Sequence, residues 1–164
     1  MRAGGQRTSG SKEEKMASLS PHFTLREFVK SQTAVRLGIA NVPDDTEIKN
    51  MIALCEEVLE PTRAHFGKPV NVNSGFRCPE LNRAIGGSST SQHMSGEAAD
   101  VEIFGVDNLE IAVWIRDHLE FDQLILEFYE TGVPSSGWVH VSYRSGNRKD
   151  HFSISGGKKN RDLF

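Results

Sequence analysis

Residues 91–100, in the middle of the chain, place a histidine and an aspartate seven positions apart. The segment reads Ser-Gln-His-Met-Ser-Gly-Glu-Ala-Ala-Asp, and Gly96 lies between His93 and Asp100. On a straight helix these two side chains would be separated by about 10 Å along the axis, too far to meet at one point. We therefore expect the chain to turn back at Gly96, because glycine tolerates the backbone of a tight turn, and Asp100 to enter a strand.

A second histidine, His140, ends the segment 138–140, whose sequence Trp-Val-His is typical of a strand. Two imidazoles and one carboxylate are the usual protein ligands of a catalytic zinc ion, which keeps a fourth position open. We therefore predict that His93, Asp100 and His140 hold Zn²⁺. A single strand histidine is more often structural than a ligand, so the prediction depends on the three residues together.

The composition favours one soluble globular domain. With 164 residues, of which 37% are hydrophobic and 25% charged, the chain is long enough to bury a core. The net charge of -3 argues against a nucleic-acid partner, and no apolar run is long enough to insert into a membrane. Cys55 and Cys78 form no C-x-x-C pair, so a thiolate metal site is not expected. We see no signal peptide and expect a monomer made in the cytoplasm.

Hydrophobic periodicity divides the chain into a disordered extension (1–18), a folded domain (19–154) and a flexible basic tail (155–164). A capping box over 24–27 predicts a short helix. A longer helix that begins at Asp44 or Asp45 should kink or end at Pro61, with a further turn possible before Gly67. Further helices are predicted at 79–85 and 109–119, and strands at 69–73, 98–103, 121–129, 138–143 and near 151–154.

The strands at 121–129 and 138–143 flank a polar turn and predict a hairpin. A hairpin centred in this turn places Glu127 opposite His140 and turns Phe128 to the core face. Opposed residues lie about 4.5–5.5 Å apart at Cβ, so Glu127 is our candidate general base. A slip of one residue would turn Glu127 towards the core, and taken alone it could equally be a solvated strand residue.

Residues 91–100 also match the pattern S-x-H-x-x-G-x-A-x-D of the zinc D-alanyl-D-alanine peptidases, the M15 group. Upstream, residues 74–77 (Ser-Gly-Phe-Arg) resemble the S-G-x-R segment of that group, and residues 138–140 resemble its W-x-H ligand strand. Residues 23–28 are similar to the opening of a compact branch that phages and prophages often encode. The resemblance covers residues 20 to 145 or so.

The resemblance implies a zinc peptidase that hydrolyses an amide bond in peptidoglycan peptides, either a D-Ala-D-Ala-type carboxypeptidase or an endopeptidase such as an endolysin. By position, the three predicted ligands would hold zinc, Arg77 would bind a substrate carboxylate or the oxyanion, and Ser91 and Gln92 would line the substrate site. The implied fold is α+β, a small antiparallel sheet flanked by helices with the zinc on the sheet face, as in hedgehog and DD-peptidase domains. The elements predicted above agree with that fold.

One position departs from the family pattern. Many relatives carry the catalytic acid three residues before the last histidine, where this chain has Gly137. Glu127 is the candidate replacement. If Glu127 points away, the alternative is a catalytically silent zinc-binding module that recognises the cell wall or a protein partner. By analogy with the family, the protein would act at the wall or in the periplasm after release, or as part of a virion.

Overall fold

The computed structural model describes residues 17–164, so most of the predicted disordered extension, residues 1–16, lies outside the described residues. The predicted α+β class is confirmed. The helices are α1 (Leu25–Val29), α2 (Gln32–Leu37), α3 (Asp45–Leu54), α4 (Glu60–Phe66), α5 (Pro79–Ala84) and α6 (Asn108–His118). The strands are β1 (Ser18–Ser20), β2 (Phe23–Thr24), β3 (Asn71–Ser74), β4 (Ala98–Glu102), β5 (Gln123–Glu127), β6 (Trp138–Ser142), β7 (Asp150–Ser155) and β8 (Lys158–Asn160).

The main sheet has six strands in the order β3-β4-β6-β5-β7-β8. Its neighbouring strands are antiparallel except for β5 and β7, which run parallel. The sheet is therefore mixed, whereas the sequence predicts an antiparallel one. The difference arises because the chain leaves β6 and returns on the far side of β5, a non-local pairing that alternation of residues within a strand does not reveal. The strands β1 and β2 form a separate antiparallel pair.

The first helices begin where their capping residues predict. Thr24 and Glu27 form the expected capping box before α1, and Asp44 forms a second one before α3. A π-helical turn over Cys55–Leu59 joins α3 to α4, so Pro61 neither ends nor breaks this helical stretch. Pro61 lies in the first turn of α4, directly after the π turn. Helix α2, which begins at the cap Ser31, was not predicted.

Alternation along β4, β5 and β6 divides the sheet into a core face and a groove face. The core face packs against α3 and α6, and its central side chains are fully buried: Ala99, Val101, Leu124, Leu126, Val139 and Val141. Burying one of the larger side chains, a valine or a leucine, stabilises the fold by about 1.5–3 kcal/mol. The intervening positions, which include Asp100, Glu127 and His140, line a groove on the other face.

The register of the β5–β6 hairpin differs from the prediction by two residues. His140 pairs with Ile125, and Glu127 pairs with Trp138. Because the shift is two, Glu127 keeps the predicted face but lies diagonal to His140 rather than opposite it. Phe128 was expected on the core face, but it has φ 53°, is half exposed and packs against the Trp138 ring at 5.2 Å. Its left-handed backbone ends β5 directly after Glu127.

The segment predicted as a flexible basic tail contributes to the sheet. Within residues 155–164, β8 pairs with β7 in an antiparallel hairpin. The last residue, Phe164, is buried against the core. Cys55 is a buried free thiol, as expected, and Cys78 is a partly exposed one. Among residues 17–164, no helix has the length and apolar character needed to cross a membrane.

Candidate metal centre

The three predicted ligands converge on the groove face. His93 follows α5 and its loop, Asp100 lies in the middle of β4, and His140 is its direct register partner on β6. One ligand atom from each residue lies within 4.8 Å of the other two. His140 Nδ1 is 2.9 Å from Asp100 Oδ1, and His93 Nε2 is 3.3 Å from the same oxygen. Two nitrogens and one carboxylate oxygen this close form a donor set that suits zinc.

His93 is oriented by a backbone carbonyl. Its Nδ1 lies 2.6 Å from the carbonyl oxygen of Gly75, which accepts the imidazole N–H and leaves Nε2 as the free nitrogen lone pair. The ring is buried, yet Nε2 forms no hydrogen bond with any residue in the part of the chain that the structure describes. A buried nitrogen without a partner is costly in a folded protein, and a cation between His93 and Asp100 would satisfy it. The site therefore fits a metal ion.

Gly75 brings this carbonyl close because its backbone packs against α1. A Cβ atom at Gly75 would lie 2.7 Å from the Phe28 backbone. The next amide, Phe76 N–H, donates to the Phe28 carbonyl, and Arg77 N–H donates to the His93 carbonyl. These contacts tie the Ser-Gly-Phe-Arg segment to the turn that carries the first ligand. No pattern in the sequence indicated that a main-chain carbonyl would orient His93.

The turn at Gly96 has the geometry that its sequence predicts. Ser91 caps a 3₁₀ turn over Gln92–Ser95, and Gly96 ends it with φ 72°. The same glycine packs tightly on the first turn of α3, since a Cβ atom there would lie 2.4 Å from the Glu47 carbonyl oxygen. The chain then enters β4, and Asp100 returns to the side of His93 as expected.

The electrostatics of the centre favour an ionised Asp100 carboxylate beside a neutral His93 imidazole. Burial alone would raise the pKa of Asp100, but the adjacent His93 and His140 outweigh it and hold that pKa well below its usual range. Burial lowers the pKa of His93, so its ring stays neutral. Metal ligands must be deprotonated, so both shifts prepare the site to bind a cation.

Arg77 and Glu127 lie on either side of this centre. Arg77 Nη2 is 3.8 Å from Asp100 Oδ2, and most of the guanidinium is buried. Burial lowers the pKa of Arg77, while Asp100 and Glu127 raise it. For Glu127, burial is the main cause of a raised pKa, and Asp100 adds to it; His140 and Arg77 act in the opposite direction. Both side chains therefore share the electrostatic environment of the candidate ligands.

The groove has a volume of about 950 Å³ and contains every predicted site residue. Ser91 and Gln92 line it, as predicted, but each also has a structural role. The Ser91 hydroxyl accepts from the His93 amide, and the Gln92 amide nitrogen donates to Glu97 and Asp122. Ile125 also lines the groove, on the face where alternation along β5 places it. The prediction missed further groove-lining residues from the returning C-terminal segment, which the sequence did not pair: Arg144, Arg148, Phe152, Ile154 and Lys159.

Comparison with known proteins agrees with this geometry. The family model of Peptidase M15 matches residues 21–142. A curated relative, the zinc D-Ala-D-Ala carboxypeptidase of Streptomyces albus G, is 53% identical over 51 residues, which are 31% of this chain and 20% of the relative. The matched segment thus spans about one fifth of that relative's length. The family match covers more than half of the chain and includes Arg77 and all three candidate ligands, and this confirms the predicted resemblance to the M15 group. The chain belongs to the peptidase M15 family.

Proposed function

We propose that this protein is a zinc-dependent peptidase that hydrolyses an amide bond in bacterial peptidoglycan peptides. The bond would be a D-Ala-D-Ala-type bond, cut by a carboxypeptidase, or an internal bond, cut by an endopeptidase. The observation that carries the proposal is the meeting of His93, Asp100 and His140 in a groove of about 950 Å³. Family membership and the carboxypeptidase relative support the same chemistry.

In this proposal, His93 Nε2, an Asp100 oxygen and His140 Nδ1 hold the ion. A zinc ion bound by three protein ligands acts as a Lewis acid towards a carbonyl oxygen and lowers the pKa of water. The Gly75 carbonyl fixes the imidazole of His93, as a second layer of hydrogen bonds commonly does around such ligands.

Glu127 is the residue proposed to move the proton. Its carboxylate lies on the groove face, diagonal to His140, and burial raises its pKa above that of an ordinary glutamate. A raised pKa makes a carboxylate a better base when ionised and a better acid when protonated. Glu127 would take a proton from the attacking water and deliver it to the leaving amine. It thereby replaces the acid that many relatives carry at the position of Gly137.

Arg77 is proposed to bind negative charge on the substrate, either its terminal carboxylate or the developing oxyanion. A guanidinium suits both, because it stays charged and donates two parallel hydrogen bonds. Its Nε is buried and has no hydrogen-bond partner among residues 17–164. Arg77 therefore retains donor capacity beyond its contact with Asp100.

The test compares Glu127→Gln with Glu130→Gln, which changes an exposed glutamate outside the groove. Purified peptidoglycan and a synthetic peptide ending in D-Ala-D-Ala are the substrates, products are identified by mass spectrometry, and zinc content is measured by elemental analysis. We expect Glu127→Gln to keep one zinc per chain and lose at least about a hundredfold in turnover, since general acid–base catalysis contributes about 10²–10⁴. Glu130→Gln should match the unmodified protein.

Full activity in Glu127→Gln would remove Glu127 from this role. If the unmodified protein with one bound zinc binds purified wall but cleaves neither substrate, the catalytically silent module becomes the better description. A chelator should abolish cleavage and added zinc should restore it. The products identify the bond that is cut.

A further inference from the structure

Besides Arg77, three cationic side chains from the C-terminal part of the chain line the groove. They are Arg144, Arg148 and Lys159, and we call them the cationic rim. All three follow residue 142, where the match to the peptidase family ends. The rim contrasts with the chain as a whole, whose net charge is -3. Its charge is therefore a local feature of the groove.

Strand pairing brings Lys159 to the groove. Glu127 on β5 pairs with Ile154 on β7, and Ile154 pairs with Lys159 on β8, so the three side chains form one row across the groove face. Lys159 Nζ lies 4.3 Å from the centre of the Phe152 ring, which holds the ammonium over an apolar floor. The groove thus continues from the candidate metal centre to β8.

Arg144 and Arg148 are held in place by one buried carboxylate. Arg148 donates from Nε and Nη2 to the two oxygens of Asp122, at 2.9 and 2.7 Å. Arg144 approaches the same carboxylate through Nε, at 3.1 Å. Asp122 is fully buried, while the arginine side chains are 42% and 50% exposed. Two fixed guanidiniums share one negative charge, so one positive charge is left to face the groove.

We propose that the cationic rim binds a carboxylate of the substrate peptide on the N-terminal side of the scissile bond. The inference rests on the proposed function, with Arg77 holding the C-terminal end of the peptide beside β4. An extended peptide then crosses β6, β5, β7 and β8. Three strand spacings separate β6 from β8, about 14 Å, which corresponds to about four extended residues.

The probes are synthetic peptides that end in D-Ala-D-Ala. Each carries glutamate at one position, two to four residues before the terminal pair. A matched peptide with glutamine at the same position is the neutral control. We expect the unmodified protein to prefer the glutamate peptide by about three- to tenfold in kcat/KM at one of these positions, mainly through KM. The preference should shrink at high salt, because exposed charges are screened.

The variants are Arg144→Gln, Lys159→Gln and the double variant, with Lys158→Gln as the matched control. Lys158 neighbours Lys159 on β8 and does not line the groove. We expect the glutamate-to-glutamine ratio to fall towards one in the double variant and to stay unchanged in Lys158→Gln. A ratio of one in the unmodified protein, or equal losses in Lys158→Gln, would overturn the inference.

Direct binding separates this result from a failure of the proposed function. If no peptide is cleaved, calorimetry with the same peptides measures the rim without turnover. Tighter binding of a glutamate peptide that is lost in the double variant supports the cationic rim even when peptidase activity is absent. Equal affinities for both peptides exclude it.

Discussion

The two faces of the β4–β6–β5 sheet use neighbouring residues for different purposes. On the core face, Val101 and Val139 pack beneath helices and are fully buried. One position along each strand, Asp100 and His140 are almost as inaccessible but are polar and point into the groove. Burial thus extends to polar residues on the groove face, although Ile125 and Glu127 on β5 are only partly buried. Asp100 and His140 have each other as partners, and a bound cation would complete the set, as buried polar groups require.

The comparison predicts that substitutions on the two faces will have separable effects. A change on the groove face should affect metal binding and turnover more than folding, and a change on the core face should do the reverse.

Replacing His140 by alanine should have the largest effect. With one of three candidate ligands gone, we expect zinc below one per chain and a loss of at least about a thousandfold in turnover, which corresponds to about 4 kcal/mol of barrier. Zinc analysis and peptidoglycan digestion measure the two quantities. His118→Ala, on the exposed part of α6, is the control. Retention of tight zinc by His140→Ala would contradict the assigned ligand set.

Leu126→Ala tests the core face beside Glu127. It opens a cavity under the helices, and we expect a loss of about 2–5 kcal/mol in the free energy of unfolding, measured by urea denaturation. Zinc content should stay at one per chain. Ile125→Ala, on the groove face of the same strand, should lose less stability and raise KM instead. Equal losses of stability in both variants would show that substitutions on the two faces do not have separable effects.

Gly137→Ala tests whether the hairpin requires glycine at the position where many relatives carry the catalytic acid. A Cβ atom there would lie 1.9 Å from the Glu127 carbonyl oxygen, and the backbone has φ 64°. We expect about 1–3 kcal/mol of destabilisation and a lower kcat, because the strand must move. Gly132→Ala has a similar φ, 86°, with open space around it, and isolates the clash. If both variants have the same kcat, the contact between a side chain at position 137 and the Glu127 carbonyl does not affect turnover.

Asp122→Asn is expected to have the smallest effect, and one that depends on pH. Hydrogen bonds from Arg148 lower the pKa of Asp122 to about 2, below the usual value of an unfolded aspartate. The ionised form therefore stabilises the fold above pH 5, and this contribution is lost as the pH falls from about 4 through about 2. The difference in melting temperature from Asp122→Asn should shrink over that range. The exposed Asp162→Asn serves as the control; a constant difference would exclude the linkage.

The sequence predicted the site better than the sheet around it. The spacing of His93, Gly96 and Asp100 allowed one local turn, and alternation placed Asp100 and His140 on one face. Register was harder, because the long connection between the strands does not fix the pairing, and Phe128, with φ 53°, ends β5 directly after Glu127. An error of two residues preserved the face of Glu127 and changed its partner from His140 to Ile125.

The return of the C-terminal segment could not be predicted, for a different physical reason. The parallel pairing of β7 with β5 joins segments that are distant in sequence, and nothing within either strand specifies the partner. Short, charged β8 resembles a solvated tail in composition, yet it completes the hairpin that brings Lys159 to the groove. Likewise, the role of the Gly75 carbonyl depends on close packing with Phe28, which only three-dimensional contacts reveal.

Gly96 has its place in the recognition pattern for two reasons: its backbone has φ 72°, and the Glu47 carbonyl on α3 leaves no room for a side chain. A distant homologue in which that helix is displaced could accordingly bind the same ion with another residue that tolerates a positive φ, such as asparagine, and a search that demands glycine would pass over it. Conversely, a chain that has lost a ligand but retains the helix would keep the glycine. Homologues are better sorted by their coordinating side chains, with the glycine used as a marker of how the helix sits.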